Sequence, residues 1–384
     1  MKKLAYLEGL RGVAALIVVF HHLVLLFYPA LNYGNGTNAT LNIIAVSPLN
    51  IFYNGDFAVC LFFVLSGYVL SYKYILTNDP QIVLGYAIKR YFRLMPLIAS
   101  SVLVIFLFSR LDLLHTQQLN DQLHLGDWLT GMFNGDAAFI AMLKNIFYGI
   151  FIFGDNSYNP VVWSMGIEFI GSMLLFAFLL LNYKIKPKWI LFVITLLLAL
   201  YLKRYYYISF LLGYGLCFID QKEIFRIRSV VLKIVLLLAG IMCASYPAAW
   251  QHWNTSLYAF MTFEGIDLYS FYHVVGSGIL LLLITQSNAS KNFFSLKPVL
   301  FLGKISFSMY LFHLIILILI IPHVFSWGIL TLNYNMTVLI CIMISFPLIL
   351  VVSYLTEMII DKPALKFANK IEQRFMKIFF KLKS

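Results

Sequence analysis

The chain has 384 residues, 61% of them hydrophobic and only 11% charged, with a mean hydropathy of +0.87 and a formal net charge of +12. Soluble domains carry close to one half apolar and one quarter charged residues, so this composition excludes an ordinary soluble domain and describes a polytopic membrane protein. The positive charge calls for no nucleic-acid partner, because attraction to the anionic inner face of a lipid bilayer accounts for it.

Met1-Lys2-Lys3 and the apolar run behind them mimic a signal peptide, but the run is long, carries Arg11 and His22 and lacks a small-residue cleavage site. It is read as a retained first span. Long apolar runs predict ten spans, roughly 12–31, 57–76, 94–109, 160–182, 189–202, 206–219, 230–248, 269–286, 300–321 and 335–360, the fifth and sixth being short and nearly continuous. The expected fold is all-α, about ten transmembrane helices around a central polar cavity. One membrane domain is expected over 1–363, followed by a basic cytoplasmic tail at 364–384.

With both ends inside, Lys2, Lys3, Lys89, Arg90, Arg93, Lys184, Lys186, Lys188, Lys222, Arg226, Arg228, Lys291 and Lys297 face the cytoplasm. Asp112, Asp121, Asp127, Asp136, Asp155, Glu264 and Asp267 fall on the other side. The outer stretch 110–159 is expected to hold short helices lying on or dipping into the interface. Outer loops at 32–55 and 249–268 carry Tyr33, Tyr53, Trp250, His252 and Trp253, aromatics that suit belt anchoring or stacking on sugars. Cys60, Cys217, Cys243 and Cys341 sit within or at the edge of spans, without the spacing of a disulfide framework or a metal site, and read as small apolar residues.

The first span carries the chemistry. Arg11 and His22 are eleven residues apart, close to three helical turns, so both side chains share one face about 16 Å apart along the axis. Arg11 is expected near the inner surface, where its planar fork of donors can meet a phosphate, with Glu8 one turn away to hold it. His22 is expected near the midplane, where an imidazole suits general-base or nucleophilic work on an acyl group. His21 points about 100° away and serves packing or hydrogen bonding. A snorkelling arginine and a buried, hydrogen-bonded histidine fit the same spacing.

This segment resembles the Arg-x10-His signature of the acyltransferase 3 family. Further pieces follow in the family's order. Asp56 and Leu61-Phe62-Phe63-Val64-Leu65-Ser66-Gly67-Tyr68 resemble its second-helix motif, although Ser66-Gly67 also suits close helix packing. Lys89-Arg90-Tyr91-Phe92-Arg93-Leu94-Met95-Pro96 resembles its basic stretch. Asn159-Pro160-Val161-Val162-Trp163-Ser164-Met165-Gly166-Ile167-Glu168-Phe169 resembles its Trp-Ser-Leu-x-x-Glu motif. Gly303-Lys304-Ile305-Ser306-Phe307-Ser308-Met309-Tyr310-Leu311-Phe312-His313 resembles its late Ser-Tyr-x-x-Tyr-Leu-x-His motif. Phe307 and Met165 depart from the usual Tyr and Leu, and Asp361-Lys362-Pro363 replaces a closing Glu-x-Pro.

The resemblance implies an O-acyltransferase that moves an acyl group, commonly acetyl, from cytoplasmic acetyl-CoA or another acyl-CoA to a carbohydrate or lipid-linked sugar. It needs no metal and sits in a bacterial cytoplasmic membrane, with envelope polysaccharide assembly proteins as possible partners. On this reading His22, Arg11 and Glu168 are catalytic. Arg11, Lys89, Arg90 and Arg93 hold the phosphates of CoA; a positive-inside stop signal explains plain cations equally well. Asp56, Trp163, Glu168 and His313 face the acceptor. Depth counted along the spans puts Glu168 about 9 Å below the outer surface and His313 near the midplane. Buried ionisable residues also suit a secondary transporter for a sugar or lipid-linked intermediate, with His22, Glu168 and His313 as a proton relay.

Overall fold

The computed structural model describes residues 4–125, 129, 132–185, 187–249 and 256–380. Lys2, Lys3, Asp127, Lys186, Trp250, His252, Trp253 and the last residues of the Lys-rich end lie outside the described residues. The fold is all-α: 82% of it is helical and no strand occurs among the described residues. Each expected span is a helix: α1 (Ala5–Phe27), α2 (Gly55–Thr77), α3 (Pro80–Arg110), α4 (Trp163–Lys184), α5 (Lys188–Tyr201), α6 (Tyr205–Gln221), α7 (Val230–Ala244), α8 (Leu268–Gln286), α9 (Lys297–Thr331) and α10 (Tyr334–Thr356). A π-helical turn, Glu357–Asp361, carries α10 into α11 (Lys362–Phe380), so the residues expected as a tail are helical through Phe380.

Among the described residues seven helices are long and apolar enough to cross a bilayer. The helices α5, α6 and α7 have 14, 17 and 15 residues, short of the ~20 that a bilayer core requires. The fifth and sixth spans are separate helices because Lys203 adopts a left-handed φ of 53° between them.

The first span runs earlier than its hydropathy suggests. Tyr28 leaves the helical region ahead of Pro29, whose ring disfavours helical backbone in the preceding residue. His22 is therefore six residues past the helix midpoint, about 9 Å toward its C-terminal end, rather than halfway along. The basic stretch also sits differently: Lys89, Arg90 and Arg93 lie inside the 31-residue α3 rather than ahead of it.

Two compact units divide the chain, residues 1–87 with 171–303 and residues 88–170 with 304–384. In the first unit, glycines let helix backbones touch. A Cβ on Gly67 of α2 would collide with the backbone of Phe210, and one on Gly213 of α6 with the Val64 carbonyl. Small residues of this kind allow the close approach that packing between apolar helices depends on. Gly9 and Gly12 of α1 do the same against Phe294 and the Leu302-Gly303 backbone at the start of α9, and Gly303 in turn meets the Glu8 carbonyl. The glycines on either side of Arg11 thus bring α1 against α9. Outward faces of α5 and α7 expose Ile194, Leu197, Val231 and Leu238, as lipid contact requires.

In the second unit α9 is central: every residue from Ser308 to Ile318 is buried, as expected of a helix apolar all round. The outer stretch contains helices at Thr116–Leu123 and Phe139–Lys144 and a π-helical segment at Asn145–Phe153. That segment reaches deep. The Tyr91 hydroxyl donates to the Phe147 carbonyl at 3.0 Å, and Tyr91 lies nineteen residues, about 28 Å, from the Arg110 end of α3. Gly166 leaves room for Ile150 and Gly154 beside the first turns of α4.

Gly213→Leu is expected to lower stability by about 3 kcal/mol, read as thermal unfolding in detergent. Gly215→Ala, whose Cβ would meet only the Phe192 ring at 3.3 Å, is expected to leave it nearly unchanged.

Candidate active site

Arg11, His22 and Asp56 belong to the first unit, and Lys89, Arg90, Arg93, Trp163, Glu168 and His313 to the second. On α1, Arg11 and His22 share one face, as the helical spacing requires, and both are partly exposed. The His22 Nδ1 lies 2.9 Å from the Val18 carbonyl. A carbonyl only accepts, so Nδ1 carries the proton and the neutral ring holds its lone pair at Nε2. His21 lies edge-on to it at 5.3 Å and donates from its own Nδ1 to the Tyr53 carbonyl at 3.0 Å. Gly55 makes room for the His21 ring, because a Cβ there would press into it.

Asp56 lies in the first turn of α2, whose N-terminus is capped by the Asn54 side chain accepting from the Phe57 N–H at 2.9 Å. The Tyr269 hydroxyl of α8 donates to the Asp56 carboxylate at 3.0 Å. The Tyr269 ring stands edge-on to His273 at 4.3 Å. His273 is fully buried, with Nε2 3.0 Å from the Asn54 amide nitrogen and 3.1 Å from the Tyr246 carbonyl. Neither Tyr269 nor His273 is singled out by the sequence. The one available signal is a histidine five residues into an apolar helix.

In the second unit each cation of the basic stretch meets a carboxylate. Arg90 pairs with Glu168 of α4. Arg93 makes two hydrogen bonds to Asp361, the Nη2–Oδ2 one at 2.9 Å, and its guanidinium lies 5.5 Å from the Phe307 ring centre. Lys89 reaches Glu372 of α11 at 3.5 Å, and Lys304 reaches Glu357 at 3.3 Å. The Arg90–Glu168 pair corrects the depths counted along the spans, which put those residues near opposite surfaces. The long α3 and the deep segment before α4 bring them to one level. Asp361, which stands in the departure from a closing Glu-x-Pro, is the carboxylate that holds Arg93. An incoming phosphate would compete with these carboxylates, least strongly at the longer Lys89 contact.

Two sequence motifs interlock here. Asn159, fully buried, donates to the Ser101 hydroxyl and to the Leu311 carbonyl, both at 3.1 Å. The Tyr310 hydroxyl lies 2.7 Å from Ser164 and donates to the Val161 carbonyl at 3.0 Å. These bonds hold the turn before Trp163 against α9. On α9, His313 is fully buried and its Nδ1 donates to the Met309 carbonyl at 2.9 Å. It therefore has the same tautomer as His22, with the lone pair on Nε2.

The acyltransferase domain that defines the acyltransferase 3 family matches residues 4–357. The chain belongs to that family and is a membrane acyltransferase. No curated protein and no solved structure matches it.

Glu168→Gln leaves a guanidinium buried against a neutral amide, and is expected to cost about 3–5 kcal/mol of stability. Adding Arg90→Gln to it should recover part of that loss. Thermal unfolding of the single and double variants in detergent measures both.

Proposed function

We propose that this protein is an O-acyltransferase that moves an acyl group, acetyl foremost, from cytoplasmic acyl-CoA to a hydroxyl of a surface carbohydrate or lipid-linked sugar. The observation that carries this reading is the His22 imidazole, fixed by the Val18 carbonyl so that its lone pair lies on Nε2. The family match supports the acyl-transfer chemistry. In the reaction, the acceptor oxygen attacks the thioester carbonyl while Nε2 takes the hydroxyl proton. The C–S bond breaks, and the imidazolium returns the proton to the departing thiolate. If His22 carries the acyl group instead, Nε2 attacks the thioester carbonyl, the C–S bond breaks and the thiolate leaves; the acceptor hydroxyl then attacks the acyl carbon, the C–N bond breaks, and the hydroxyl proton passes to the thiolate. Both routes need the tautomer with the proton on Nδ1.

Arg11, on the same helix face, is assigned to the phosphates of the donor, for which a guanidinium offers paired hydrogen bonds. Lys89, Arg90 and Arg93 are assigned the same ligand, with Glu168, Asp361 and Glu372 as the counter-ions a phosphate would displace. Asp56 and Trp163 are assigned to the acceptor, as are Glu168 and His313. The distribution of basic residues supports an orientation with both termini in the cytoplasm, and the membrane is assigned to a bacterial cell. Envelope polysaccharide assembly proteins are the partners this proposed reaction suits.

His22→Ala is expected to reduce transfer of label from acetyl-CoA to membrane glycan by 10²–10⁴-fold at unchanged protein level. Transfer at the parental rate would remove His22 from the mechanism. Arg11→Lys is expected to raise KM for acetyl-CoA more than it lowers kcat, which steady-state kinetics in membranes resolves.

A further inference from the structure

The helix that follows the last span sorts its residues by chemistry. Lys362, Lys366, Lys370, Arg374 and Lys377 of α11 are all exposed, and at 100° per residue they fall within a sector of about 120°. The opposite face holds the buried Ala364 and Ala368 and the two acidic groups already committed to α3, Asp361 to Arg93 and Glu372 to Lys89. Phe367 and Ile378, 55% and 65% exposed, lie at the border between the protein-facing side and the cationic sector.

Contacts with α3 fix how α11 is turned. Asp361 meets Arg93, the Phe367 ring meets Phe92 at 6.2 Å, and Glu372 meets Lys89. The side of α11 that carries these contacts, with the preceding Asp361, therefore faces α3, and the cationic sector faces away from it. A helix so placed, with two bulky apolar side chains beside a row of five cations, has the form of an interfacial helix whose cations reach the headgroup layer.

We infer that the cationic face of α11 is a binding surface for anionic phospholipid headgroups, fastening the end of the last span and, through Arg93 and Lys89, the basic part of α3 to the bilayer surface. Charge complementarity identifies the occupant: five cations and no acid on that face favour a negatively charged lipid surface.

The test uses the full chain in nanodiscs of phosphatidylcholine, with and without phosphatidylglycerol, and brief acetylation of lysines read by peptide mass spectrometry. Lys362, Lys366, Lys370 and Lys377 are expected to react about fivefold more slowly when phosphatidylglycerol is present, with a smaller change at the exposed Lys184 and Lys222. Equal reactivity in the two bilayers would overturn the inference. So would protection in pure phosphatidylcholine on adding coenzyme A, which would make the stripe a nucleotide site.

Discussion

A polar group inside an apolar helix bundle must find a partner within the protein, because unpaired burial costs several kcal/mol. In α1 the helix supplies that partner itself. The carbonyl of Val18, one turn before His22, takes the Nδ1 proton and thereby fixes which nitrogen is basic. In the proposed reaction, the contact that satisfies this histidine also sets which nitrogen meets the acyl group. His313 repeats the arrangement with Met309 and is the more deeply buried of the two.

Charges meet the same requirement through distant partners. Lys89, Arg90 and Arg93 of α3 are neutralised by carboxylates from α11, from α4 and from the π-helical turn after α10. Breaking any buried pair is costly while the paired state itself is worth little, so these bridges specify which helices meet more than they add stability. The basic stretch consequently has two demands on it, holding neighbouring helices and, in the proposed reaction, receiving phosphates. The more exposed Lys89 contact is the one that can serve both most readily.

Much of this was legible in the residues. Each of the ten apolar runs coincides with a helix, the spacing of Arg11 and His22 puts them on one face, and Ser66-Gly67 marks the place where α2 touches α6. What hydropathy misplaces are the ends: α1 stops at Phe27 because of Pro29, and α3 begins at Pro80, well before its apolar stretch. Depth counted from those ends fails in turn, which is why Glu168 and Arg90 were expected near opposite surfaces yet form a pair. Partners such as Asp361 for Arg93, 268 residues away, or Tyr310 for Ser164, leave no periodic signal in one sequence. Tyr269 and His273 beside Asp56 are hidden for the same reason, since each is an ordinary residue of an apolar span until the helices pack.

Nitrogen-15 NMR of ring-labelled histidine in the reconstituted protein, with His22 assigned by its loss in a His22→Gln variant, reads the central claim at the atom concerned. The account predicts a protonated Nδ1 and a lone-pair Nε2 at neutral pH. A proton on Nε2 of the neutral ring would contradict it, because the nitrogen assigned to the acyl group would then be a donor with nothing to attack or accept with.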